Sequence, residues 1–315
     1  LFQEWMSMYH LSLNDNGKSN TLRNRRNALS NSVNQVLKTN EDEYKALFAL
    51  ETGYAIVVKL FALKILPKLN LSESITYFDD LLSESINELQ HSFESIENGY
   101  VFNTSNITNL LEQDFFSWYS IEEIWDSSIA LPIKDLLAIV NDYSDTSLAY
   151  HFETTDLFKE IYMLTIPGDV RKAFGEYFTP DWLADSVILS ARKQITKEDW
   201  TFLDPTCGSG TFLLRAINQI VDEERDNKSD TELLESILER VKGIDLNPLS
   251  VLSARVSYLL AIRPFIHNYN KTIEIPVYLG DSAKLPKIIN KDGQKFVEYK
   301  ITTRKAPMDA ILPLK

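Results

Sequence analysis

The stretch Trp200-Thr201-Phe202-Leu203-Asp204-Pro205-Thr206-Cys207-Gly208-Ser209-Gly210, followed by the helical run Thr211 to Val221, decides the fold. Its apolar start reads as a short strand that stops at Asp204-Pro205. Small residues from Thr206 to Gly210 then make a tight loop, and an apolar-periodic segment opens directly behind it. Strand, glycine loop and helix in succession begin a doubly wound α/β sheet. The units that follow fit. Asp222 to Asp230 is a charged loop, and Ser229 with Glu232 forms a capping box for a helix ending near Val241. Val241 to Asp245 reads as a second strand. Pro248 to Ile262 is apolar around most of its circumference, hence a buried helix. Ile273 to Leu279 reads as a third strand, before Gly280-Asp281. Three strands thus finish in Asp204, Asp245 and Asp281.

Working upstream, Gly175-Glu176-Tyr177-Phe178-Thr179-Pro180 is turn-rich. It lies between a helical segment (Leu157 to Leu164) and a helix from Asp181 to Lys193, for which Thr179 or Asp181 is the expected N-cap. From Leu1 to about Tyr150 the texture is helical: Glu43 to Leu66, Ile75 to Phe93 and Ile121 to Tyr143 keep apolar faces, and Pro67 ends the first. Asn14 to Asn20 and Asn103 to Asn109 read as loops. The expected organisation is a helical domain over residues 1–150 and the first part of an α/β domain over 151–315. In the helical half, Lys18, Arg23, Arg25 and Arg26, with Asn20, Asn24 and Asn27, offer either phosphate contacts or a solvated helix face. Phe115-Phe116-Ser117-Trp118-Tyr119 offers either a base-stacking platform or core.

The chain has 315 residues, with 45 acidic against 32 basic side chains and a net charge of −13. Its 44% hydrophobic and 24% charged content is that of a globular protein and excludes wholesale disorder. One cysteine forms no internal disulfide, which points to a reducing, cytoplasmic home. His10, His91, His151 and His267 are scattered, so no metal site is expected. The acidic balance speaks against a chain built to coat nucleic acid, but not against an enzyme whose basic surface is local. The apolar run Ala46 to Leu66 contains Glu51, Gly53, Lys59 and Lys64, and reads as a buried helix rather than a membrane span. The chain begins with Leu1 and is expected to be a piece of a longer product.

In an open parallel sheet, ligands sit beyond the carboxyl ends of the strands. Three acids placed there face one crevice. Gly208 and Gly210 carry no Cβ and let backbone approach a ligand. Asp245 suits a ribose diol, and Asp281 suits the exocyclic amine of an adenine. A dinucleotide would want G-x-G-x-x-G and a ribose acid about 20 residues on. Here Leu213 takes the third glycine position, and 35 residues separate Gly210 from Asp245. Asp204 would also repel a pyrophosphate. S-adenosylmethionine (AdoMet), with an α-amino group and a sulfonium, matches better than NAD.

The stretch Asp204 to Leu213 closely resembles motif I of the N6-adenine DNA methyltransferases. Gly175 to Pro180 is similar to their motif X, Gly243-Ile244-Asp245-Leu246-Asn247-Pro248 to motif II, and Gly280-Asp281-Ser282 to motif III. The order X, I, II, III is that of the gamma-type amino-methyltransferases, which include type I modification subunits and fused type IIG restriction–modification enzymes. The resemblance runs from about Leu157 to Pro286. It implies a Rossmann-like class I AdoMet-dependent methyltransferase fold, and the cofactor roles follow from it. Thr179, with Tyr177 and Phe178, would meet the methionine carboxylate. Asp204 would hold the α-amino group, and the loop through Thr206, Cys207, Gly208, Ser209 and Gly210 would line the methionine. Asp245 would take the ribose hydroxyls and Leu246 the adenine face. Asp281, next to Ser282, would accept from the adenine amine. The bland alternatives are Asp245 as a helix N-cap and Asp281 as a turn residue. Cys207, with no base beside it, reads as a pocket-lining residue rather than a nucleophile.

The family activates its flipped-out target amine with motif IV, (Asn/Asp/Ser)-Pro-Pro-(Tyr/Phe/Trp). No Pro-Pro pair occurs in these residues. Lys300 to Leu312 offers at most a strand pair of an insertion. No catalytic residue is therefore assigned, and motif IV is expected beyond Lys315. The resemblance implies methyl transfer from AdoMet to adenine N6 in DNA, within a restriction–modification or phage-defence system. Double-stranded DNA would be held mainly by regions outside these residues, with a restriction or specificity subunit or fused domain as partner and no membrane. Two alternatives stand beside it: methylation of a protein glutamine or an RNA amine, and an AdoMet-binding scaffold without catalysis.

Overall fold

The structure, a computed structural model, describes residues 1–6, 19–65, 77–112, 114–142, 157–267, 269–283, 287–291, 294–302 and 307–313. Lys18, Pro67, His10, His151 and most of the Asn14 to Asn20 stretch lie outside them. The first half is built of helices α1 (Ser19–Ser32), α2 (Asn40–Ile65), α3 (Tyr77–Ser83), α4 (Ile86–Glu97), α5 (Tyr100–Asn103) and α6 (Ser127–Asp142). α2 is long and apolar enough to cross a membrane, yet most of it is buried inside the fold. Its first turn carries Glu41, Asp42 and Glu43 and its last Lys64, which suits the helix dipole at both ends. Lys64 Nζ donates to Val140 O at 2.7 Å and Asn141 O at 2.8 Å, tying α2 to the end of α6.

Two helices differ from expectation. The segment Ile75 to Phe93 is not one helix, because Ser85 breaks it. Ser85 Oγ accepts from the Glu88 N–H, and Glu88 Oε2 accepts from the Ser85 N–H at 2.8 Å, a reciprocal cap that starts α4 afresh. The helix expected from Ile121 starts at Ser127, where Asp126 Oδ1 accepts from Ser128 N at 2.8 Å. The described arginines of the basic cluster do not form one open face. Arg25 is buried and pairs with the equally buried Glu43, and Arg26 reaches Glu43 and Lys38 O, so both fasten α1 to the start of α2. Arg23 alone of the described cluster arginines is exposed. The Phe115–Ser120 stretch is a 3-10 helix with Phe116 and Tyr119 in the core, which excludes a stacking platform at those rings.

The second half continues with α7 (Leu157–Thr165), α8 (Gly168–Phe174) and α9 (Asp181–Arg192). Pro180 is the N-cap of α9 and supplies no side-chain cap, so neither Thr179 nor Asp181 fills that place. Strand β1 (Phe202–Asp204) then leads through α10 (Thr211–Glu224) and α11 (Asp230–Arg240) to β2 (Val241–Asp245), and α12 (Pro248–Ile262) leads to β3 (Val277–Leu279). The three strands form a small parallel sheet in the order β1-β2-β3, with Asp204 opposite Gly243 and Asp245 opposite Leu279. α11 opens on the expected Ser229–Glu232 capping box. β4 (Lys287–Lys291), β5 (Gln294–Thr302) and β6 (Pro307–Pro313) make a separate antiparallel sheet; the pair expected over Lys300 to Leu312 is the end of β5 with β6, and β4 adds a strand before it.

β3 is shorter than its apolar run because residues 273–275 pair with the helical half. Ile273 bridges Ile107 in parallel, and the Asn109 amide both donates to Ile275 O at 2.8 Å and accepts from Ile275 N at 2.7 Å. One buried apolar cluster runs from Trp5 through α2 and α12 to Val277, so the two halves share a core.

Candidate cofactor-binding site

The loop after β1 is shaped by its own backbone. Asp204 Oδ1 accepts from Thr206 N at 3.0 Å, and Gly210 N donates to Cys207 O at 2.9 Å. Gly208 and Gly210 lie at φ +55° and +99°, the left-handed region that costs a side-chain-bearing residue strain. Gly210 caps α10 without a side chain, and a Cβ there would touch Ala254 of α12 at 3.4 Å. The small residue thus sets how closely the loop and α12 approach.

Asp245 joins this loop to the next. Its Oδ2 accepts from Gly208 N and its Oδ1 from Asn247 N, each at 2.8 Å, while Cys207 N donates to Ile244 O at 3.0 Å. Asn247, not Asp245, caps α12, accepting from Leu249 N at 2.9 Å. Burial raises the Asp245 carboxyl above its ordinary value against the pull of these backbone donors. Asp204 is raised as well, by burial and by the neighbouring Asp245 charge. Burial and the same two acids push the Cys207 thiol far up, which removes it as a nucleophile.

Beside the loop opens a cleft of about 530 Å³, within the range of small-molecule sites. Of the residues expected from the sequence, Tyr177, Phe178, Thr206, Gly208, Ser209, Asp245 and Leu246 line it. Asp204, Cys207 and Gly210 are not part of the wall; they shape the loop from behind. Thr179 stands outside the wall too, with its carbonyl accepting from Lys159 Nζ at 3.0 Å. Asp281 and Ser282 are not brought to the cleft, and Asp281 Oδ1 accepts from Ala283 N at 3.1 Å in a turn.

The sequence reading missed part of the wall. Trp5, Glu51, Tyr54 and Phe116 of the helical half line the same cleft, as do Tyr162 and Glu176. Glu176 Oε2 accepts from the Tyr162 hydroxyl at 2.9 Å and Oε1 from Asn247 Nδ2 at 3.3 Å. Burial lifts its carboxyl to about 7. Glu176 lay inside the motif X-like stretch and Phe116 inside the aromatic one, and Glu51 stood out as an acid in an apolar helical run, but nothing in the sequence placed them at one cleft.

Residues 153–297 match the family model described as N-6 DNA Methylase. A relative, the adenine-specific methyltransferase PglX of Streptomyces coelicolor, is 29% identical over 174 residues. That match covers 51% of this chain and 14% of PglX. Within the matched segment, three parallel strands carry the glycine loop and the acid that the cleft exposes.

Proposed function

We propose that the cleft binds AdoMet and that the domain transfers its methyl group to adenine N6 in double-stranded DNA. The observation that carries this is the junction of Asp245 with the Gly208 backbone at a cleft wall, inside the segment of the N-6 DNA methylase family. On this reading β1 to β3 are half of a Rossmann-like sheet, with the strand-end acids gathered at one edge.

The residues present fit the cofactor. A positively charged ligand suits a cleft holding Asp245 and Glu176, and the loop at Gly208 and Gly210 leaves backbone open to close approach. Asp245 would accept from the ribose hydroxyls, Leu246 would cover the adenine, and Ser209 with Tyr177 and Phe178 would border the methionine. When bound, AdoMet supplies an electrophilic methyl group. The chain's part is to orient that group and exclude water. These 315 residues contain no Pro-Pro pair, so the function proposed for them is cofactor binding. Methyl transfer is proposed for the domain together with a base-holding motif of the kind described above. The motif order further suggests a gamma-type enzyme of a restriction–modification or phage-defence system, acting in the cytoplasm.

The test is a methyl-transfer assay with labelled AdoMet on duplex DNA, using the longest natural product of the gene. Label recovered as N6-methyladenine is expected. Label found only in protein glutamine or RNA would replace this reading, and AdoMet binding without transfer to any acceptor would support a scaffold.

A further inference from the structure

α2 brings to the cleft an acid that the α/β half does not require. Glu51 is 5% exposed yet lines the cleft. Its Oε2 accepts from Trp5 Nε1 at 2.8 Å, and the ionisable group acting on it is another acid, Glu176. Around Glu176 stand Tyr162, Asn247, Asp245 and Arg171. Arg171 is turned elsewhere: its Nε donates to Ile166 O at 3.1 Å and its guanidinium lies 5.9 Å from the Phe178 ring centre. Among the described residues no lysine, arginine or histidine pairs with Glu51. Buried carboxylates without a counter-charge are costly and take up either a proton or a cation. Trp5, Tyr54, Phe116, Tyr162 and Phe178 complete this end of the cleft. Carboxylates set among aromatic faces are how proteins hold a cation that has no N–H to donate.

We propose that Glu51 of the helical half, together with Glu176, is the counter-charge for the sulfonium of bound AdoMet, and that this pair distinguishes the methyl donor from its demethylated product. The proposal rests on the AdoMet reading above. The product, S-adenosylhomocysteine, keeps the adenosine and the α-amino group and loses only the charge on sulfur. A group that senses sulfur charge therefore separates the two ligands, whereas one that holds the amino group does not.

Burial pushes Glu51 up to about 8 and Glu176 to about 7. An arriving cation favours their ionised forms, so binding of the donor releases protons. The donor's advantage over the product therefore grows as pH rises from about 6 towards neutrality; above that, the sulfonium makes the donor's α-amino group lose its proton before the product's does, so the ratio is read below that range.

The test is calorimetric titration of the full chain with AdoMet, sinefungin (an amine in place of the sulfonium) and S-adenosylhomocysteine. Glu51→Gln keeps the shape and the Trp5 acceptor and removes the charge. It is expected to weaken AdoMet and sinefungin about tenfold, the order of one lost charge interaction, and the product within about twofold. Equal losses for all three ligands, or none, overturn the proposal. The unaltered chain provides a second measurement that needs no variant. Its donor-to-product affinity ratio is expected to rise about threefold between about pH 6 and 7.5, below the range where the α-amino groups titrate; a flat ratio there overturns the proposal equally. Failure of the unaltered chain to bind any of the three would instead sink the AdoMet reading beneath it.

Discussion

Asp245 does two jobs with one carboxylate: it fixes the Gly208 backbone and, on the proposed reading, leaves lone pairs for the ribose. Asp245→Ala removes both, and hydrogen bonds to a charged group are each worth about 1.5–3 kcal/mol. AdoMet affinity should fall at least about tenfold by calorimetry; unchanged affinity would remove Asp245 from the site. Glu51 makes a different prediction, about stability. Its folded carboxyl sits at about 8, above the ordinary carboxylate value, so the folded state binds the proton more tightly than the unfolded chain does. The stability this gives is complete below the unfolded value and is lost as pH rises to about 8. Thermal melts should therefore fall between pH 5 and 8.5, and Glu51→Gln should flatten that slope; an unchanged slope would place the titration elsewhere. Asp245 and Gly208, which line the cleft, were legible because strand ends and small-residue loops are local patterns. Glu51 was not, because its neighbours Trp5 and Glu176 lie 46 and 125 positions away. Asp281 shows the reverse case, a motif residue that the fold leaves in a turn.

Elements were legible where one period held throughout. β2 and α12 fall where alternation and the apolar helical pattern put them, and α12 is buried on nearly every side. The reading failed where a local cap competed with periodicity, as at Ser85, and where an edge strand found a second partner, as at Ile273 to Ile275. The contact between β2 and the glycine loop is tight. A Cβ at Gly243 would stand 2.8 Å from Leu213 Cδ1 and 3.1 Å from Cys207 Sγ. Gly243→Ala should therefore destabilise by about 1–3 kcal/mol, the usual range for overpacking. Urea unfolding checks it, and a neutral result would mean that Leu213 yields without cost. Asn109→Ala strips both partners from the Ile275 backbone and should cost about 1–3 kcal/mol by the same measurement.

Across the whole molecule, composition and periodicity announced a helical half and an α/β half but not their joint core. That core depends on contacts between distant segments, which no window of sequence displays. α2 packs on α12, and Tyr54 of α2 hydrogen-bonds Ser253 of α12 at 2.7 Å. The helical half is thus a wall of the proposed site rather than an appendage. The chain should unfold in one cooperative transition, with calorimetric and van't Hoff enthalpies equal; two resolved transitions would contradict a shared core.

On the proposed reading this cleft, closed on one side by the helical half, is built for AdoMet. The most direct measurement is calorimetric titration of the full chain with AdoMet, and with NAD in parallel. One AdoMet per chain, displaced by S-adenosylhomocysteine and bound more tightly than NAD, is the predicted result. No heat with AdoMet, or tighter binding of NAD, would contradict it.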